Sequence, residues 1–180
     1  MPTFATLILL ATTTTAALMA GLFFAYSYSV NPGLHRLSDL AYLQTMQSIN
    51  RAIQNPPFLL CFLGTAVLFP ASAWLHYRAP VRLRFVLLII AAVIYGLGVL
   101  GVTIAGNIPL NDSLSTIDLN AAAPAELATH RAAFEPDWNR WHTIRMGASV
   151  LALLLAISAC LTPYASREAL NLDDSPSNNL

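Results

Sequence analysis

The chain has 180 residues, 56% of them hydrophobic and 10% charged, with a mean hydropathy of +0.59 and a formal net charge of zero. Soluble domains carry about 25% charged residues, so this composition excludes a water-facing globule of such length. The lack of a basic excess excludes the electrostatic footprint of a nucleic-acid binder. The length suits one domain, and arginine supplies every fixed cation, since the chain has no lysine.

Four apolar runs follow in order. The first extends from Met1 to about Val30 without a charged side chain. The second lies between Arg51 and His76, centred on Pro57–Leu75. The third follows Arg84 as far as about Gly106, and the fourth follows Arg145 to near Thr162. Each meets the length of about 20 residues that a spanning helix needs, and hydrocarbon leaves helix as the only way to satisfy the backbone. The first run is too long for a signal-peptide core of about 7–15 residues and lacks a basic lead, so it reads as a retained helix. The expected fold is therefore all-α, a four-helix transmembrane bundle over residues 1–165, with a polar, disordered tail at 166–180.

Three arginines, Arg78, Arg82 and Arg84, crowd the short link between spans two and three. They place that link, and with it both termini, on the cytoplasmic side of a plasma (inner) membrane. Parity alone puts the two longer loops on one shared face. Each of these loops predicts a short extramembrane helix. In the first, Ser38 caps a helix through Gln54 with Leu40, Leu43, Met46 and Ile53 on its apolar side, and Pro56 and Pro57 interrupt before span two. In the second, a helix runs from Pro124 to Phe134, and Pro136 opens a new helix that continues into span four. Asn31-Pro32 and Asn107-Ile108-Pro109 read as the ends of spans one and three, a faint internal echo.

Small residues recur every four positions at Ala17, Gly21 and Ala25, at Ala148, Ala152, Ala156 and Cys160, and more briefly at Gly101 and Ala105. Such stripes let helix backbones approach closely in lipid. Cys61 and Cys160 lie in apolar runs without metal-ligand spacing and read as small buried core residues.

The strongest chemical signal is Trp138-Asn139-Arg140-Trp141-His142-Thr143-Ile144-Arg145. On a helix, Trp138, Trp141, His142 and Arg145 share one face. Interfacial tryptophans and a snorkelling arginine are the bland explanation. An imidazole and a guanidinium on the side that leads into the Ala148 stripe instead face the bundle, where ionisable groups are functional candidates. Asn31, Asn50, Asn55, Asn107 and Asn111 all fall at helix ends or loops of the same face. Single asparagines there are usually caps; five together suggest a polar pocket, with Tyr26, Ser27 and Tyr28 as its wall. His35, His76 and His130 lack partners at ligand spacing, and no zinc, nucleotide or nucleophile-elbow motif occurs, so no metal is expected.

Gly21-Leu-Phe-Phe-Ala-Tyr-Ser-Tyr-Ser-Val-Asn-Pro-Gly-Leu34, Met46-Gln-Ser-Ile-Asn-Arg-Ala-Ile-Gln-Asn-Pro-Pro-Phe58, Gly101-Val-Thr-Ile-Ala-Gly-Asn-Ile-Pro-Leu-Asn-Asp112 and the Trp138–Arg145 stretch, taken as an ordered set, resemble the anthrone-oxygenase-like family of small membrane proteins. The resemblance covers roughly residues 5–162. It implies a four-helix membrane fold and kinship with enzymes that oxidise anthrones to anthraquinones with O2 and no added cofactor. In one departure, the family's Trp-Asn-His is here Trp141-His142-Thr143, a shift that turns the imidazole by about 100° around the helix.

On this reading His142 is the base, and Arg145, Asn107 and Asn111 stabilise an oxyanion. Trp138, Trp141 and Tyr26 stack on the rings, and Asn31 and Asn50 complete the substrate-binding set. The expected partners are a lipophilic aromatic molecule and membrane lipids, without nucleic acid; a homo-oligomer is left open. The alternatives are a non-catalytic lipophile binder or assembly partner, and a small transporter. An enzyme needs a cavity holding His142, Arg145 and Asn107. An assembly partner needs them paired with no void, and a transporter needs a path to both faces.

Overall fold

A computed structural model describes residues 2–77 and 82–162. The tail and the domain boundary at 165 lie outside the described residues, as does the 78–81 stretch of the arginine-rich link. Among the described residues the chain forms five helices: α1 (Phe4–Leu34), α2 (Asp39–Ala52), α3 (Pro56–His76), α4 (Arg82–Ser115) and α5 (Pro124–Leu161). All but α2 are long and apolar enough to cross a membrane, which is compatible with an integral membrane protein. Each long helix packs against two neighbours in the cyclic order α1, α3, α4, α5.

Local chemistry sets the helix starts. Thr3 Oγ1 accepts from the Thr6 amide, Ser38 Oγ from Ala41 and Asn55 Oδ1 from Phe58, the last at 3.0 Å. Pro56 and Pro57 sit in the first turn of α3, where a missing N–H costs nothing, so they open that helix rather than merely interrupt the chain. Glu126 accepts from the Ala123 amide at the start of α5.

The prolines account for three departures from the sequence reading. Asn31-Pro32 and Asn107-Ile108-Pro109 do not end their helices. Each follows a π-helical turn, Tyr26–Val30 in α1 and Thr103–Asn107 in α4, and the helix continues to Leu34 and Ser115. A proline ring collides with the carbonyl four residues back. Those carbonyls belong to Tyr28 and Ala105, and the wider π turn moves them aside. Pro136 likewise starts no new helix: α5 runs unbroken for 38 residues. Phe134 and Trp138 pack into one cluster with Leu43 and Met46, and an Arg131–Glu135 ion pair spans the same turn, so contacts on both sides of the proline hold the helix.

Burial also revises the small-residue stripes. Ala17, Gly21 and Ala25 face outward, and α1 buries Leu9, Thr12, Ala16, Met19, Ala20 and Phe23 instead. Ala105 is exposed as well. On α5, Ala152 and Ala156 are buried as expected, but the row ends in Ala159; Cys160 is exposed and Cys61 half-buried. The close approach of α4 to α5 occurs at two other glycines. A Cβ on Gly98 would lie 2.6 Å from that of Ala148, and one on Gly106 would overlap the Trp141 indole.

The loop between α1 and α2 is clasped to α5. Arg131 donates to the carbonyls of His35 and Leu37, to Asp39 Oδ1 and to Glu135 Oε2, and lies 4.5 Å over the Tyr42 ring. Burial pushes the Tyr42 phenol's pKa up, so the guanidinium meets a neutral ring face. This clasp sets α2 across the loop end of the bundle.

Gly98→Ala is expected to destabilise the bundle by about 1–3 kcal/mol through forced separation of α4 and α5, seen as a lower Tm in detergent. A Tm equal to the parent's would show that the seam yields freely.

Candidate functional site

Beneath α2 lies a cavity of about 420 Å³, within the usual range for small-ligand sites. Phe23 and Tyr26 of α1, Asn50 of α2, Phe58 and Phe62 of α3, Asn107 and Asn111 of α4, and Trp138 and Arg145 of α5 all contribute to its wall. From the loop end the lining reaches no further than Leu22 on α1, Leu63 on α3, Leu100 on α4 and Arg145 on α5, so the chamber does not run through to the opposite face. A void in this position is not what a purely structural assembly contact requires.

The sequence-predicted residues divide. Arg145, Asn107, Trp138, Asn111, Tyr26 and Asn50 line the cavity. His142, Trp141 and Asn31 do not. Trp141 covers Gly106 on the α4–α5 seam. Asn31 Nδ2 donates to Asn139 Oδ1 at 2.8 Å and ties α1 to α5. Asn55 is spent as the α3 cap, and Tyr28 faces outward against Phe24. Asp112, Phe58 and Phe62 contribute to the wall from outside the sequence-predicted set. Asp112 follows Asn111 and is the one carboxylate in the lining. Phe58 and Phe62 stack at 5.4 Å in the first turns of α3.

His142 is 1% exposed and both ring nitrogens are engaged. Its Nδ1 lies 3.3 Å from Arg145 Nε and 3.2 Å from Nη2. Its Nε2 lies 2.9 Å from Ser27 Oγ and 3.2 Å from the Phe23 carbonyl. A guanidinium only donates and a carbonyl only accepts. The neighbours therefore fix one neutral tautomer, with the proton on Nε2 and the Nδ1 lone pair aimed at Arg145. The imidazole expected to act as a base has no lone pair facing the cavity.

What His142 does is hold Arg145. The guanidinium lies 4.6 Å from the Phe23 ring and 5.3 Å from that of Trp138, a cation–π sandwich. Trp138 stacks on His142 at 5.1 Å, nearly parallel, and its Nε1 donates to Asn111 Oδ1. The ion pairs among the described residues join His35, Arg131, Asp39 and Glu135; none includes Arg145. A cation withdrawn from water without an anion is costly. Ring faces and an imidazole lone pair soften that cost without cancelling the charge, which lies in the cavity lining. Among the described residues no three His, Cys, Asp or Glu side chains converge as a metal site requires.

The model of the anthrone oxygenase family matches residues 58–155, more than half of the chain. The chain belongs to the anthrone oxygenase family. The match takes in most of α3, all of α4 and most of α5, and with them Asn107, Asn111, Trp138 and Arg145 of the cavity wall. No curated protein and no solved structure matches this family member.

The holding role of His142 separates two substitutions. His142→Leu leaves Arg145 and the Phe23 carbonyl without their partner and is expected to cost about 1–3 kcal/mol. His142→Gln can still accept from Arg145 and donate to Phe23, and should recover part of the loss in thermal unfolding. A leucine variant at least as stable as the glutamine variant would contradict the assignment.

Proposed function

We propose that this chain is a membrane-embedded oxygenase that oxidises a flat, lipophilic phenolic ketone of the anthrone type, without an added cofactor. The observation that carries this reading is Arg145, a guanidinium with no carboxylate partner among the described residues, facing an aromatic-walled cavity. Family membership supports the oxygenase chemistry.

The cavity mouth supports a lipophilic substrate. Leu59 and Leu63 of α3 and Ile104 and Ile108 of α4 line the cavity, yet remain 41%, 48%, 56% and 43% exposed. A side chain that is both lining and exposed marks an opening, and these four are apolar and lie on the bundle's outer surface. A ring system dissolved in the bilayer enters between α3 and α4 without crossing water. In this reading the protein lies in the plasma membrane with both termini cytoplasmic.

The chemistry needs little from the protein. Loss of a benzylic proton from the anthrone gives a delocalised anion whose charge rests on the ketone oxygen. Arg145 stabilises that oxyanion, and a preorganised donor in a dry site is worth about 10²–10³ in rate. The carbanion carbon forms a bond to O2, giving a peroxide anion that takes a proton from solvent to become the hydroperoxide. Loss of water from it leaves the second carbonyl, so one anthrone and one O2 become one quinone and one H2O. Asp112, exposed at the rim and lining the cavity, accepts the benzylic proton and passes it to solvent.

The test is O2 uptake by the purified protein with a model anthrone, measured above the spontaneous rate. The parent is expected to show excess uptake. Arg145→Gln should lower it by about 10²–10³-fold, and Asp112→Asn by about 10²-fold or more. Uptake at the spontaneous rate in the parent would remove the substrate class; full activity in Arg145→Gln would remove the oxyanion site.

A further inference from the structure

Two buried amide atoms of the cavity wall have no hydrogen-bond partner among the described residues, Asn107 Oδ1 and Asn50 Nδ2. They come from different helices, α4 and α2, and the fold brings them to one chamber. Asn107 is only 1% exposed. Its orientation is not free. Asn107 Nδ2 donates to the backbone carbonyl of Trp138 at 3.3 Å, and a carbonyl can only accept. The amide oxygen is therefore the atom left over. A buried acceptor without a donor is costly and rare in native proteins.

This reverses the role the sequence suggested. An oxyanion approaching Asn107 would meet another oxygen, so Asn107 cannot share the work of Arg145. It calls for a donor. We propose that Asn107 and Asn50 form a hydroxyl-recognition subsite separate from the anion site, selecting ring systems that carry a hydroxyl group which keeps its proton. That hydroxyl donates to Asn107 Oδ1, and a ligand oxygen accepts from Asn50 Nδ2. The inference rests on the cavity being the substrate site. It divides the ligand's oxygens into two kinds, one that ionises at Arg145 and one that stays neutral at Asn107. A purely hydrocarbon ring leaves both amides unpaired, and sites built around a ligand hydroxyl reject analogues that lack it far more strongly than apolar pockets reject size changes.

The experiment compares two probes of similar shape, an anthraquinone bearing a hydroxymethyl group and its ethyl counterpart. The alcohol does not ionise in the working pH range, so Arg145 cannot claim it as an anion. Binding to the full chain in detergent is followed by quenching of tryptophan fluorescence, and the readout is the ratio of the two affinities. Partition into detergent and partial loss of folded protein cancel when that ratio is compared between parent and variant. The ratio is expected to fall at least about 10-fold in Asn107→Leu, and by a smaller factor in Asn50→Leu, since Asn50 is half-buried. Equal ratios in the parent and both variants would overturn the subsite and point to water satisfying the two amides. If that happens while O2 uptake still depends on Arg145, the hydroxyl subsite alone falls. Absence of saturable binding by either quinone would take the substrate-site reading with it.

Discussion

A positive charge in a low-dielectric bundle must be neutralised, solvated or given a ligand. Among the described residues Arg145 has two aromatic faces and one imidazole lone pair, and no carboxylate. Much of the surrounding structure serves to keep it so. Ser27 and the Phe23 carbonyl engage His142 Nε2, which turns Nδ1 toward the guanidinium. Asn111 holds the Trp138 indole, which covers His142 and flanks Arg145. The result is a fixed cation whose remaining donors are available to whatever enters the cavity.

The chamber itself follows from unequal helix lengths. α3 has 21 residues, against 31, 34 and 38 in α1, α4 and α5. At about 3.6 residues per turn the longer helices have about three to five turns more than α3. That shortfall is covered by α2, held across the gap by Arg131. The π turns that precede Pro32 and Pro109 fall beside the cavity, and Tyr26 and Asn107, the first residue of one and the last of the other, both line it. Irregular helix turns are frequent at functional sites; here they also let α1 and α4 pass a proline without breaking.

Most of the architecture was legible in the sequence because lipid imposes strong rules. Run length gave the spans, and parity brought the two long loops together. Helical spacing from Trp138 to Arg145 gave the shared face. Finer features depend on partners that no spacing reveals. The tautomer of His142 is decided by Ser27 and Phe23, more than a hundred residues earlier. The orientation of Asn107 is decided by a backbone carbonyl on α5. Pro136 resembled a helix start because proline suits a first turn, and only the packing of Phe134 and Trp138 overrules that preference. Ala17, Gly21 and Ala25 have the spacing of a packing stripe but turn outward, since α1 needs Met19 and Phe23 inside.

The arrangement also divides the labour among residues that the sequence had grouped together. His142 holds the guanidinium, and Arg145 turns its remaining donors to the cavity. The central claim is that Arg145 waits for an oxyanion, and it is tested most directly by a spectroscopic titration. A monohydroxylated anthraquinone changes colour when its phenol ionises, and the bound chromophore can be titrated in the parent and in Arg145→Gln. The account predicts that the bound phenol ionises at lower pH than the free dye in the parent, by about one unit or more, and that this shift disappears in the variant. A bound phenol that ionises at the same pH as the free dye, or higher, in the parent would contradict it.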